Sequence, residues 1–265
     1  MLRAINPVRE IDAKRASGSR RLLFVDLQVG EKYLIAALLS LTLVALFAPA
    51  LPASAWPIPH YVDTRTWLGL HNAGDVLSNL AFLGMGVWGL MLMRARNDAP
   101  VGASCFFVGL ILTCAGSSIY HLDPDAPQWL VADRLGMAVA FAGFLGIAAS
   151  ERVSQRAGQA AMLLMIVAGP LAAWVARENV TPWVIVQFGG MALAVGLALT
   201  RPRPGAIGVS LGGVILCYVL AKLFELGDVT VFEATGHIVS GHTLKHLAAA
   251  LAASPVIRAL RSKAR

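Results

Sequence analysis

Gly241-His242-Thr243-Leu244-Lys245-His246 sets two histidines four positions apart inside a run that otherwise reads as a membrane-buried helix. Residues i and i+4 share one helical face, so both imidazoles can reach a single metal ion. Ionisable side chains are costly at that depth, and a functional role is the default hypothesis for them. A lone pair of this spacing also serves helix–helix hydrogen bonding. Its meaning therefore depends on what else in the chain meets the same face.

The run around the pair, 237–256, is the last of eight; the others are 33–51, 74–93, 101–120, 130–150, 158–175, 183–200 and 206–226. Each is near the length needed to cross the hydrocarbon core. Composition agrees, with 57% hydrophobic and 14% charged residues in 265 and a mean hydropathy of +0.67, values far from those of a soluble domain. The expected fold is all-α, a polytopic transmembrane helix bundle. Pro170 is tolerable inside such a helix because neighbours satisfy the freed backbone groups. Cys105, Cys114 and Cys217 all lie in apolar runs, without a disulfide framework or a CxxC metal motif.

The net charge of +7 does not read as a nucleic-acid patch, because the basic residues sit at the ends of apolar runs. Alternate connections carry them: a basic tail, 1–32, with Arg3, Arg9, Lys14, Arg15, Arg20, Arg21 and Lys32; then Arg94 with Arg96, Arg152 with Arg156, and Arg201 with Arg203; and a second tail, 257–265, with Arg258, Arg261, Lys263 and Arg265. The remaining connections hold only Arg65 and Arg177, and two are acidic, with Asp123 and Asp125 in one and Asp228 and Glu233 in the other. Positive charge stays inside, so both termini are expected to be cytoplasmic, with eight crossings. Leu51-Pro52-Ala53-Ser54-Ala55 resembles a signal-peptidase site, but the long polar lead and the nearly spanning run 33–51 favour a retained first helix.

In that topology the third helix ends outside at Ser117-Ser118-Ile119-Tyr120-His121, the fourth returns with Asp133 in its first turns, and the eighth enters from the same side. A helix starting near 237 puts His242 roughly 8 to 10 Å inside and His246 about 6 Å deeper. Ser117, His121, Asp133, His242 and His246 then share one depth on three helices. Three neutral imidazoles with an open fourth position fit a catalytic zinc site rather than a closed structural one. Zinc lowers the pKa of water towards ~7; Asp133 is placed to take the proton and Ser117 to donate to an oxyanion. Two plainer readings stay open: Ser117 beside Gly116 as a small-residue packing position, and Asp133 as an acid favoured by the helix dipole. Lys245 is expected to point away from the histidine face and pair with Glu225 or Asp228.

Gly116-Ser117-Ser118-Ile119-Tyr120-His121, Asp133 twelve residues on, and Gly241-His242-Thr243-Leu244-Lys245-His246 together resemble the alkaline ceramidase family. That family belongs to a superfamily of seven-helix membrane hydrolases and receptors with the adiponectin and progestin receptors and the hemolysin III proteins. Asn72-Ala73-Gly74-Asp75-Val76-Leu77-Ser78-Asn79-Leu80 is similar to its first-helix motif, with the Ser78-Asn79 pair. The resemblance covers 63–253 and implies a seven-helix core, 63–256, with 33–51 as an extra N-terminal helix. It implies zinc on His121, His242 and His246, flanked by Ser117 and Asp133, and hydrolysis of the ceramide amide to a sphingoid base and a fatty acid. The implied partner is a membrane lipid, with no nucleic acid. The implied location is a multi-pass membrane protein, in a bacterium the inner membrane with the site towards the extracytoplasmic side. Two departures stand out. Animal members carry an acidic calcium site where this chain has Asp63, Trp67, Asn72 and Asp75, and their Asp-Glu-Leu-Pro-Met is here Asp133-Arg134-Leu135-Gly136-Met137. The alternative within the superfamily is a receptor-like protein that keeps the metal site with little turnover. A transporter would need polar residues along a path through the membrane, and a rhomboid-like protease a Ser-His dyad without metal.

Overall fold

A computed structural model of the chain describes residues 27–55, 61–94 and 99–262. The helices are α1 (Val29–Phe47), α2 (Ala73–Ser78), α3 (Leu80–Met93), α4 (Ala103–Leu122), α5 (Pro127–Arg152) and α6 (Gln155–Val175). They continue with α7 (Thr181–Val184), a π-helical turn (Ile185–Gly189), α8 (Gly190–Ala198), α9 (Leu211–Leu226), α10 (Asp228–Ala234), α11 (Gly241–Leu251) and α12 (Ser254–Ser262). Among the described residues there is no strand, only the isolated bridges Pro52–Asn179 and Trp67–Leu70. Among the described residues six segments are long and apolar enough to cross a membrane: α1, α2 with α3, α4, α5, α6, and α7 through α8. The chain is thus an all-helical, multi-pass membrane protein. Of the tail arginines and lysines, Arg3, Arg9, Lys14, Arg15, Arg20, Arg21, Lys263 and Arg265, with Arg96, lie outside the described residues.

The closest helix pair is α4 with α5. Gly109 and Gly116 of α4 and Gly136 and Gly143 of α5 each face the backbone of the other helix, where an added methyl group would overlap main-chain atoms. The spacing of seven in each set keeps the glycines on one stripe, so the two backbones touch as small-residue stripes allow in membranes. His121 and Asp133 ride on this pair, one at the end of α4 and the other near the start of α5.

Helix α1 lies four residues earlier than the expected run 33–51, drawing Val29 to Lys32 out of the expected tail; three further boundaries depart from the apolar runs, each for a visible reason. The span 74–93 breaks at Asn79, because the Ser78 hydroxyl and the Asn79 amide both donate to the Asp75 carbonyl and compete with the helical ladder. The run 206–226 becomes helical only at Leu211. Buried Glu151 gathers the amides of Ile207, Gly208 and Val209 at 2.9–3.0 Å, and Gly208 takes φ +86°. The last run starts at Gly241 rather than near 237: Gly236 and His237 adopt φ +64° and +63°, and Arg65 holds the carbonyls of His237 and Ile238. Beyond a turn at Ala252 and Ala253, the end of the expected last run, 254–256, continues into the expected tail, 257–262, as α12, with Ile257 and Leu260 buried and Arg258 and Arg261 exposed.

Helix α1 is fastened at both ends. Glu31, buried, accepts from Ser154 at 2.5 Å and from Arg156 at 3.2 Å, while Leu51 donates to Asn179 and Thr181.

Candidate metal centre

Helix α11 starts at a serine cap: Ser240 accepts from the Thr243 amide at 2.9 Å. Asp228 adds a second acceptor, taking the His242 amide at 2.7 Å on one carboxylate oxygen and the Val62 amide at 3.2 Å on the other. Gly241 is required here, since a Cβ would meet the Phe224 carbonyl and the Asp228 backbone. His242 therefore sits in the first turn of α11, nearer the helix end than the 8 to 10 Å expected from a start at 237. His121 occupies the last turn of α4, so the two histidines meet near helix ends at one face of the bundle.

His121, His242 and His246 converge as expected. All three are at most 2% exposed, and their ligand nitrogens lie within 4.8 Å of one another. They are the only such group of three or more His, Cys, Asp or Glu side chains among the described residues. The His242 Nε2 and His121 Nε2 atoms stand 3.2 Å apart. Zn–N bonds of about 2.0–2.1 Å in a tetrahedron place ligand nitrogens about 3.3–3.4 Å apart, so this pair already spans an edge of such a site. Ring centroids 4.8–5.1 Å apart bring His246 into the same cluster.

The surroundings fix one tautomer. Ser78 Oγ donates its single proton to the Asp75 carbonyl at 3.0 Å and lies 2.8 Å from His246 Nδ1. It accepts from Nδ1–H, which leaves the His246 Nε2 lone pair free for a metal. Asn72, at φ +50°, donates from its side chain to the His121 carbonyl at 2.8 Å and ties the start of α2 to the end of α4. His121 Nδ1 is buried without a hydrogen-bond partner among the described residues. Tyr61, from the loop before α2, lies edge-on over His121 and His242 with centroids at 4.8 and 4.5 Å and donates to the Tyr120 hydroxyl at 3.0 Å. Burial, with Tyr120 beside it, holds the Tyr61 phenol well above its ordinary pKa.

Asp133 is buried, and Ser117, also buried, lies against its carboxylate. Lys245 departs from expectation. It pairs with Glu225 at 2.8 Å, as the rule for buried charges requires, yet its ammonium also stands 3.3 Å from His242 Nε2. Residues three apart on a helix are near neighbours, so the long lysine stem reaches back over His242. A metal ion entering the triad has to displace that ammonium, which its four-carbon stem permits.

Two further acids, Asp75 and Asp63, lie near the site. Asp75, fully buried, accepts from Thr243 at 2.7 Å and Ser240 at 3.3 Å on one oxygen. Asp63 is held by Arg65 through two guanidinium contacts at 2.6–2.7 Å, and that guanidinium keeps its carboxyl below the usual range. The oxygens of Asp63 and one of Asp75 are thus committed within the chain, and Asn72 is bonded to His121 rather than turned to a cation. Sequence reasoning passed over Tyr61, Asp75 and Asp228 as parts of this centre, and saw Ser78 only within the Ser78-Asn79 pair. Asp75 was visible only within the 72–80 motif and the calcium-site comparison, Asp228 only in an acidic connection and as a candidate partner for Lys245, and Tyr61 carried no signal.

Compared with protein-family models and with curated proteins, the sequence matches none.

Proposed function

We propose that the chain is a zinc-dependent intramembrane amidase that hydrolyses ceramide or a similar N-acyl lipid to a sphingoid base and a fatty acid. The observation that carries this reading is the buried triad of His121, His242 and His246, whose closest nitrogens already stand at a tetrahedral edge. Three imidazoles and an open position favour zinc among the metals. Bound there, zinc supplies a Lewis acid that polarises a carbonyl and acidifies water. Asp133 takes the proton from the attacking water and then returns it to the leaving nitrogen as the amide C–N bond breaks. Ser117 first orients the Asp133 carboxylate. Once Asp133 is protonated the Ser117 hydroxyl is released to donate to the oxyanion. Tyr61 covers His121 and His242 and keeps bulk water off the reacting face.

We read α9 and the α11–α12 pair as two further crossings. This makes α1 an extra helix on a seven-helix core of the alkaline ceramidase type, with both termini cytoplasmic and the triad towards the extracytoplasmic side, in a bacterium the outer face of the inner membrane. One observation favours a receptor-like protein with little turnover: the Lys245 ammonium 3.3 Å from His242 Nε2 opposes a metal cation. The test is one purified sample analysed for metal and for hydrolysis of a panel of N-acyl sphingoid bases. His242→Ala should lose both stoichiometric zinc and lipid amide hydrolysis; full zinc occupancy in that variant would remove the ligand assignment. Zinc without turnover in the wild type would favour the receptor-like reading.

A further inference from the structure

Arg134 follows Asp133 on α5 and is 8% exposed. Its guanidinium lies over the Trp183 ring at 5.6 Å and has no hydrogen-bond partner among the described residues. Stacking on an aromatic satisfies the face of a guanidinium and leaves its five N–H donors, which project in the plane, unused. Buried polar groups are as a rule hydrogen-bonded, and buried charges paired. None of its nitrogens is among the fully enclosed, unpartnered polar atoms of the described residues, so the fork opens onto a gap, and a largely covered arginine facing a gap without an anion points to one that arrives with a ligand. The titratable groups within its electrostatic reach are Asp133, Tyr120 and Tyr61. Tyr61 is also the residue that lies over His121 and His242, so the charge on Arg134 stands within electrostatic reach of the residue that covers the triad. Asp133 does not neutralise it by contact: no hydrogen bond joins the two among the described residues, and Ser117 is the residue against that carboxylate.

We propose that Arg134 binds the anionic oxygen group of an amphiphile held at the triad. Resting on the amidase reading above, this sets aside ceramide itself, which carries no anion, and narrows the substrate to similar N-acyl lipids that carry a carboxylate or phosphate. A guanidinium fork matches either anion bidentately, which a lysine does not. The full chain, zinc-loaded in neutral detergent micelles, is titrated with dodecyl phosphate, dodecanol and inorganic phosphate. Wild type should bind dodecyl phosphate at least about tenfold more tightly than dodecanol, as a charge-assisted hydrogen bond implies. Arg134→Gln should lose that preference, and Arg134→Lys should keep part of it. Unchanged zinc content shows that each variant retains the centre. Equal wild-type binding of dodecyl phosphate and dodecanol would overturn the proposal, as would a preference that survives Arg134→Gln. Inorganic phosphate bound as tightly as dodecyl phosphate would overturn its lipid part. In turnover, an N-lauroyl amino acid should be preferred over N-lauroylethanolamine, and Arg134→Gln should erase the preference mainly through KM. Arg134-dependent binding of dodecyl phosphate with no amide hydrolysed would sink the amidase reading and leave the anion site standing.

Discussion

Replacing Ser78 with alanine removes one hydroxyl that no metal touches, and it should nevertheless weaken metal binding. Ser78 Oγ holds His246 Nδ1 at 2.8 Å and passes its own proton to the Asp75 carbonyl at 3.0 Å. Without it the His246 ring loses the contact that selects the Nε2 lone pair and sets its orientation. Partners of this kind are worth about 10–100-fold in metal affinity. The Asp75 carbonyl is also released by the mutation and becomes a substitute acceptor for Nδ1–H, so the loss should fall at the lower end, near tenfold or about 1.4 kcal/mol. The ring also keeps its edge contact with Phe82, centroid to centroid 6.0 Å, which limits how far it swings. The assay is competition for zinc against a chromophoric chelator, with purified full-length protein in detergent. His242→Ala serves as the zero of the scale and wild type as the maximum. An unchanged zinc Kd in Ser78→Ala, with the protein folded, would refute the tautomer argument and with it the role of the Ser78-Asn79 pair.

Asp133→Asn should retain stoichiometric zinc and lose lipid amide hydrolysis by at least about 10²-fold, since a positioned general base contributes about 10²–10⁴; parallel metal analysis and product quantification check both halves. Gly116→Ala places a methyl group against the Ala132 carbonyl and should cost about 1–3 kcal/mol by overpacking, read as a lower midpoint in scanning fluorimetry. The Asp63 carboxyl, held below its usual range by Arg65, stabilises the fold above the unfolded carboxylate pKa of about 3.9. That contribution is lost as pH falls through the folded value. The stability difference between wild type and Arg65→Gln should therefore shrink as pH is lowered past that range in thermal scans, down to the pH-independent part from the Arg65 bonds to the His237 and Ile238 carbonyls; a difference that grows on acidification would contradict the sign.

The helical fold and the histidine triad were legible because both rest on local rules. Apolar runs near twenty residues announce spans, and a spacing of four puts His242 with His246 on one face. Convergence with His121 followed from counting crossings, which requires only that alternate helices run in opposite directions. What local rules missed was decided by contacts distant in sequence. Glu151 draws the amides of residues 207–209 out of any helix, and Arg65 ties down the carbonyls before α11, so both helices start late. The interruption at Asn79 came from two side chains competing for one carbonyl. Lys245 was misplaced because helical spacing alone ignores the reach of a four-carbon stem. Tyr61 had no chance of discovery from sequence, since nothing in the connection between α1 and α2 says which ring it will cover.

The glycine stripe between α4 and α5 has a mechanical corollary. Two helices in backbone contact along their length behave as a single strut, so His121, Ser117 and Asp133 keep their mutual placement whatever the surrounding bilayer does. Freedom to admit a bulky molecule must then reside in the opposite jaw, the helix bearing His242 and His246. That jaw packs Gly241 against α9 and is tied to it through Lys245 and Glu225, with the Asp228 carboxylate, the Ser78 hydroxyl and the Thr243–Asp75 contact as its other fastenings, so α11 gives way only together with α9.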